Sequence, residues 1–252
     1  MGGPKFGQDY GAVSSLSFNL DASRLLVGFS KGKILVYDVI SGKLQVALNE
    51  DAHPLGSAIL HARFTDQANL ALVCDSGGSV FEITFRKTAM MIPGSGSYTS
   101  RCVFSGSRGE VCTIEPLSLG GAAAAAADNG GGQFPGSSSS NHSLSEHVIV
   151  AFATISKLIV LSLRPSMKVL FTHALVGRSD TLPVISWQFV TIQTTNADKV
   201  VDPVIAFGRQ STIYFYQVNC ISSSILVVNY PPRRLWQKSD NISDLFLITN
   251  IF

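Results

Sequence analysis

Residues 13–48 read VSSLSFNLDASRLLVGFSKGKILVYDVISGKLQVAL, and their reading decides the fold. Val13 to Phe18, Arg24 to Ser30, Lys33 to Val39 and Lys43 to Leu48 are short runs rich in β-branched and aliphatic residues. Each run is bounded by residues that turn the chain. Leu20-Asp21-Ala22-Ser23 makes the first turn, Lys31-Gly32 the second and Ser41-Gly42 the third. Glycine supplies the positive φ that a tight hairpin demands. The stretch is expected to fold as a four-stranded antiparallel meander.

The unit then recurs. Phe18, Val27, Ser30 and Gly32 map onto Phe64, Val73, Ser76 and Gly78, all at an offset of 46 residues. That period stands at the edge of the roughly 40–45 residues of a four-stranded propeller blade. Tyr37-Asp38 occupies the place where such repeats carry a Trp-Asp dipeptide. The second unit is expected over about 59–92. Less regular units follow at about 99–117 (around Gly106 and Gly109), 147–173 and 183–230, and another begins at 233–252. Residues 118–145 break the pattern with Ala122 to Ala127, Gly130 to Gly132 and Ser137 to Ser140. Such a segment buries too little apolar surface to offset its ordering entropy, so it is expected to be a disordered loop expansion between blades. Setting it aside leaves about 220 residues, enough for roughly five blades of about 45. The expected fold class is all-β, an incomplete WD-repeat-like β-propeller of about five four-stranded blades. The apolar run Leu245 to Phe252 reads as a strand that would be an unprotected edge unless a larger propeller continued it.

Composition excludes several functions. Of 252 residues 46% are hydrophobic and 14% charged, so disorder throughout is ruled out. A net charge of +2 is too balanced for a dedicated nucleic-acid binder. Met1 to Phe6 lacks the apolar stretch of a signal peptide, and Phe6 stands where a myristoylation site wants Ser or Thr. No apolar run reaches the ~18 residues of a membrane-spanning helix. The chain is expected to be cytoplasmic and to meet membranes only through a partner. In that compartment the glycosylation sequons at Asn141 and Asn241 carry no meaning.

Candidate chemistry is sparse. Cys74, Cys102, Cys112 and Cys220 show no metal-ligand spacing and read as reduced thiols. Asp75-Ser76-Gly77-Gly78 echoes the nucleophile segment of trypsin-like proteases, with Cys74 replacing the preceding glycine and Ala52-His53 a faint echo of the histidine motif. A serine hydrolase using Ser76 is thus a remote alternative, but Ser76 and Gly78 repeat Ser30 and Gly32 and read as a hairpin turn. Gly28 to Lys33 suggests a phosphate loop but lacks the required G-x-x-x-x-G-K-[ST] and precedes a strand. His53 and His61 lack a third metal ligand, and His142, His147 and His173 add none at sensible spacing. Arg233, Arg234 and Lys238 around Trp236 read as a solvated turn rather than a lipid or partner contact. No residue is assigned as catalytic, cofactor-binding or metal-ligating, and no cofactor is expected. The chain reads as a scaffold, not an enzyme.

A specific likeness joins this reading. Tyr10 to Phe18, Ser23 to Gly32, Asp51 to Pro54, Ala58 to His61, Phe64 to Asp66, Cys74 to Glu82 and Ser100 to Cys112 keep a distinctive order and spacing. They resemble the N-terminal propeller of the vacuolar protein sorting-associated protein 8 family, the subunit specific to the CORVET endosomal tethering complex. The likeness is closest over about 10–117; beyond the insertion it rests on Lys157 to Leu161, Arg164 to Lys168 and Trp187. It implies a large protein, peripheral on early and late endosome membranes, with a propeller, an α-solenoid and a RING-type zinc domain. It also implies assembly with the class C core subunits and binding of the early-endosome Rab GTPase in its GTP form. Against that plan, this sequence is expected to lack the blade before Tyr10 and the solenoid and RING parts, and it carries the Gly/Ala/Ser insertion. The resemblance supplies no residue-level motif for the GTPase, so no binding loop is assigned. The alternative is a propeller adaptor of another trafficking complex, such as the related lysosomal tether.

Overall fold

Each of the four runs between residues 13 and 48 becomes a strand: β1 (Val13–Phe18), β2 (Arg24–Phe29), β3 (Ile34–Asp38) and β4 (Leu44–Ala47). They pair antiparallel in the order β1-β2-β3-β4. The computed structural model describes residues 10–48, 52–54, 56–86, 97–106, 111–120, 143–175, 181–193, 199–210, 212–221 and 224–229. Among these, every regular element is a strand. The second sheet holds β5 (Ile59–Phe64), β6 (Leu70–Asp75), β7 (Ser79–Phe85) and β8 (Tyr98–Ser105). The third holds β9 (Val111–Pro116), β10 (Val148–Thr154), β11 (Lys157–Arg164) and β12 (Lys168–Ala174). The fourth holds β13 (Val184–Gln193), β14 (Lys199–Arg209), β15 (Thr212–Ile221) and β16 (Ser224–Asn229).

The described residues therefore form four sheets of four strands, and two boundaries differ from the expected units. Tyr98–Ser105 closes the second sheet by pairing with β7, whereas the sequence placed it with 99–117. Val111–Pro116 opens the third sheet by pairing with β10, so the 118–145 segment lies inside a blade, between its first and second strands. Of that segment, residues 121–142 lie outside the described residues, as do Gly109 and the unit expected at 233–252.

The repeat is reproduced in backbone detail. Gly32 and Gly78 have φ of 90° and 89°. Ser30 N–H donates to the Ala12 carbonyl and Ser76 N–H to that of Ala58, both at 2.8 Å. A bulge between Val13 and Ser15 recurs between Ile59 and His61, and β9 carries one between Val111 and Thr113. The extra residue resets the alternation, so the first, fourth and sixth residues of these strands face one way.

First strands meet at the seams between consecutive sheets, β1 against β5, β5 against β9 and β9 against β13. Apolar clusters fill these seams. Leu26, Ile34, Val36 and Val46 of sheet 1 share a core with Ile59, Ala62 and Phe64 of sheet 2. Leu70, Leu72 and Val80 share one with Val111, Ile114 and Phe152. Ile149, Ala151 and Val160 share another with Trp187, Phe189 and Phe207. Polar bonds fix the register. Ala62 N–H donates to Ser15 Oγ at 2.8 Å and Phe64 N–H to Ser17 Oγ at 3.0 Å. His61 Nε2–H donates to the Cys112 carbonyl at 2.9 Å, and Trp187 Nε1–H to that of Glu115 at 3.0 Å. Ser15→Ala leaves a buried Ala62 N–H without its acceptor, so a loss of about 1–3 kcal/mol is expected in a denaturant titration.

Candidate functional site

The Asp75-Ser76-Gly77-Gly78 motif forms the turn between β6 and β7. Gly78 N–H donates to the Asp75 carbonyl at 3.1 Å, and Ser76 Oγ accepts from Ala58 N–H at 2.9 Å. Ser30 Oγ accepts from Ala12 N–H at the same distance. The hydroxyl thus fastens the turn to the segment that leads into the sheet's first strand. His53, the base a hydrolase would need, bonds through Nε2–H to the Gly32 carbonyl at 2.5 Å. Its Nδ1 lies 3.6 Å from Asp75 Oδ2, and both atoms are buried. Asp75 Oδ1 accepts from Ser79 N–H at 3.2 Å. The histidine and the aspartate come together, but among the described residues no hydrogen bond joins Ser76 to a histidine. His53 and Asp75 link the Gly32 turn of sheet 1 to the Asp75 turn of sheet 2, while Ser76 ties its own turn to Ala58 within sheet 2. Ser76→Ala is expected to cost about 1 kcal/mol through the lost Ala58 bond. A fluorophosphonate probe is expected to leave Ser76 unmodified; labelling at that residue would contradict this assignment.

The phosphate-loop look-alike is spent in the same way. Lys33 Nζ donates to the Leu48 carbonyl at 2.8 Å and lies 5.8 Å from the Tyr10 ring centroid. Asp38, of the Tyr37-Asp38 pair, caps the β3–β4 turn by accepting from Ser41 N–H at 2.7 Å and Ser41 Oγ–H at 2.6 Å. These bonds hold its carboxyl below the usual range. Cys74, Cys102 and Cys112 are present as thiols. Burial pushes the Cys74 thiol up to about 12, with Asp75 and Cys112 adding to the effect, so it is protonated and unreactive at neutral pH. His173 Nδ1 lies 2.9 Å from Tyr216 Oη, in an aromatic cluster with Phe171 and Tyr214. Among the described residues no three His, Cys, Asp or Glu side chains converge as a metal site. Arg233, Arg234, Trp236, Lys238 and His142 lie outside the described residues, as does the side chain of Cys220.

One charged constellation escaped the sequence reading. Glu82, at the centre of β7, has a side chain only 5% exposed. It accepts from Arg101 on the neighbouring strand β8 at 2.6 Å and from Arg164 of sheet 3 at 2.5 Å. Burial pushes its carboxyl up, but the bonds and charges of Arg164 and Arg101 outweigh that and hold it below the ordinary value. A second pair follows at the inner end of the same seam. Arg63 and Glu115 approach to 4.0 Å, with burial pushing Glu115 up against the pull of Arg63. His61 beside them is pushed down, chiefly by burial, which favours the neutral ring that donates to Cys112. The sequence signal for Glu82 was a lone carboxylate within Val80-Phe81-Glu82-Ile83.

Four-stranded antiparallel sheets stacked seam to seam along their first strands, with the polar groups of the turns and seams engaged in holding sheets together, define a β-propeller segment. The family model described as "Vps8 beta-propeller" matches residues 1–251, and the chain belongs to that family. The match runs well past the 10–117 stretch on which the resemblance was closest. The chain is 41% identical over 220 residues to the human vacuolar protein sorting-associated protein 8 homolog, covering 86% of this chain and 14% of that protein. It is 38% identical over 214 residues to the Drosophila melanogaster homolog, covering 85% and 16%. The chain therefore spans about one-seventh of the length of these relatives. Among solved structures, it aligns with the Myceliophteria thermophila Cps50 (Swd1) β-propeller domain at a TM-score of 0.45 and 10% identity, covering 85% of this chain and 56% of that one. It aligns with the computationally designed Ika4 protein at 0.45 and 15%, covering 87% and 100%. Among the described residues no helix is long and apolar enough to cross a membrane.

Proposed function

We propose that this chain is the propeller portion of a non-enzymatic scaffold in vacuolar protein sorting, a subunit of an endosomal membrane-tethering complex. Membership of the Vps8 β-propeller family over residues 1–251 carries this reading. The use of Ser76, His53 and Lys33 as structural fasteners supports a passive role. In the proposed scheme the rim of turns docks the early-endosome Rab GTPase in its GTP form. The longer protein assembles with the class C core subunits and reaches the endosome surface through those partners. A rigid stack with sequence-variable turns suits protein docking, because the sheets fix the geometry while the loops set specificity.

A nucleotide-dependent partner must bind its two forms unequally, and such couplings run to about 1–3 kcal/mol. The full-length protein is expected to bind the early-endosome GTPase at least about tenfold more tightly with a GTP analogue than with GDP, a difference of about 1.4 kcal/mol. Titration calorimetry with both nucleotide forms reads this directly. Equal binding, or binding of neither form, would overturn the docking assignment. Preference for a late-endosomal GTPase in a competition arm would transfer the chain to a lysosomal tether.

A further inference from the structure

Successive strands of a meander reverse direction, so its first and third turns lie at one end of the sheet and its second at the other. The two ends of these sheets are used differently. At the end that carries the β2–β3 and β6–β7 turns, Ser30, Ser76 and His53 spend their polar groups on fastening turns to neighbouring segments. At the opposite end the turns of sheet 1 hold themselves. Ala22 N–H donates to the Asn19 carbonyl at 3.0 Å, and Ser23 donates to Asp21 Oδ1 through N–H at 3.0 Å and through Oγ–H at 2.6 Å. Asp38 caps the β3–β4 turn through Ser41 and also accepts from Gln45 Nε2–H at 3.1 Å. Val39 N–H donates to the Ser23 carbonyl at 2.9 Å, which ties the two turns side by side. The side chains at their tips, Leu20 and Ile40, are 59% and 91% exposed.

The fold does not require aliphatic side chains at these tips. The 46-residue offset puts Asp66 at the place of Leu20 and Arg86 at that of Ile40. Sheet 2 thus carries two charged residues where sheet 1 carries two apolar ones; Asp66 accepts from Leu119 N–H at 2.5 Å, and Arg86 is exposed. Both tips also stand beyond the strand ends, off the faces through which the sheets pack. We infer that Leu20 and Ile40 are paired anchors for a folded protein, the point at which the GTPase of the proposed scheme docks. This rests on that scheme and narrows it from a rim to two adjoining turns. Anchors on pre-organised turns lose little freedom on binding, and a few side chains carry most of the energy of an interface. The surrounding charges select the class of partner. Bonds from Ser23 hold the Asp21 carboxyl below its usual range, as those from Ser41 do for Asp38, so both are ionised at neutral pH. Arg24 stands opposite Asp38, and Lys43 ends the third turn, so the patch has no net charge. An anionic membrane surface recruits clusters of Lys and Arg, which this patch is not. An apolar centre bordered by charges of both signs is the anatomy of a protein interface.

The test titrates the full-length protein with the early-endosome GTPase loaded with a GTP analogue, read by calorimetry. Leu20→Asp and Ile40→Arg install the residues that sheet 2 already carries at the equivalent places, and an unchanged denaturant midpoint checks that the fold accepts them. Each is expected to weaken binding at least about tenfold, and the two together at least about 100-fold. Arg86→Ala, at the same end of sheet 2, is the control and is expected to bind within about twofold of the native protein. A double variant that binds as the native protein does would overturn the inference and leave the GTPase docking standing. A native protein that binds no GTPase would overturn both. Unchanged GTPase affinity with lost binding to phosphatidylserine vesicles would also overturn it, giving the tips to a membrane. Should a variant fail to fold, hydroxyl-radical footprinting of the unsubstituted protein decides. Leu20 and Ile40 are expected to become protected when the loaded GTPase is added, and unaltered labelling at both would refute their role as anchors.

Discussion

Replacing both Arg101 and Arg164 by alanine is expected to destabilise the protein by about 3–5 kcal/mol, because it strands the buried Glu82 carboxylate without a counter-charge. Arg101 and Arg164 are themselves 49% and 31% exposed at the side chain, so the reverse change, Glu82→Ala, is expected to cost less, nearer the lower figure. The distinguishing signature is the dependence on pH. In the native protein Glu82 is held below its ordinary value, so its contribution is complete above about pH 4.3, the unfolded carboxyl value, and is lost as pH falls through the lower folded value. Without the arginines burial dominates, with only the Thr84 hydroxyl at 3.4 Å left as a donor, and burial moves the carboxyl the other way. The folded variant then binds the proton more readily than the unfolded chain, and acidification relieves part of its penalty. Denaturant midpoints at a series of pH values are expected to fall below about pH 4.3 for the native protein, and the variant is expected to close part of the gap there. Parallel profiles would show that Glu82 does not act through these two partners.

Gly32→Ala is expected to be the most damaging of the small substitutions, at about 3 kcal/mol or more, combining backbone strain of about 1–3 kcal/mol with a collision. At a φ of 90° the added Cβ would stand 2.6 Å from the Ser57 carbonyl oxygen and 3.0 Å from His53 Cε1. Gly42→Ala is the matched control, with a φ of 65° and no neighbour within 4 Å. It carries only the left-handed backbone cost, about 1–2 kcal/mol. Removing the His53 ring in the same variant is not expected to rescue Gly32→Ala, because the nearer obstacle is backbone. Similar midpoints for the two glycine variants would mean that the Gly32 turn yields to accommodate the methyl group.

Those two predictions mark the boundary of what the sequence could disclose. The meander at 13–48 was legible because its information is local: glycine at the positive-φ positions of the second and third turns, Gly32 and Gly42, and short apolar runs between turns, with only Ala22 (φ 55°) in the first turn departing from the rule. The 46-residue offset extended that reading to sheet 2, down to shared bulges. Legibility failed where pairing is distant or the strand is polar. Tyr98–Ser105 is an outer strand with a largely exposed Thr-Ser-Arg sequence, and nothing local ties it to β7 across residues 87–96. Val111–Pro116 finds its partner only after residue 147. Glu82 and Arg164 are 82 residues apart, and no spacing rule links them. The same holds for the Ser76 motif. Its letters matched a nucleophile segment, and the fold gives its hydroxyl to a backbone N–H because the turn has to be tied to the strand beside it.

The seams between described sheets join only sheets that are neighbours in sequence. Energetically such a molecule behaves as a short linear array, in which each unit is stabilised by its own pairing and by one or two adjoining interfaces. Interior units then hold on longest while end units fray, and a lesion in one unit weakens its neighbours before it is felt further along. Amide exchange is therefore expected to be slowest in β6 and β10, both buried along their whole length, and faster in β1 and β16. Among the described residues the four sheets thus make an open series, in which the first and the last each have a single described partner.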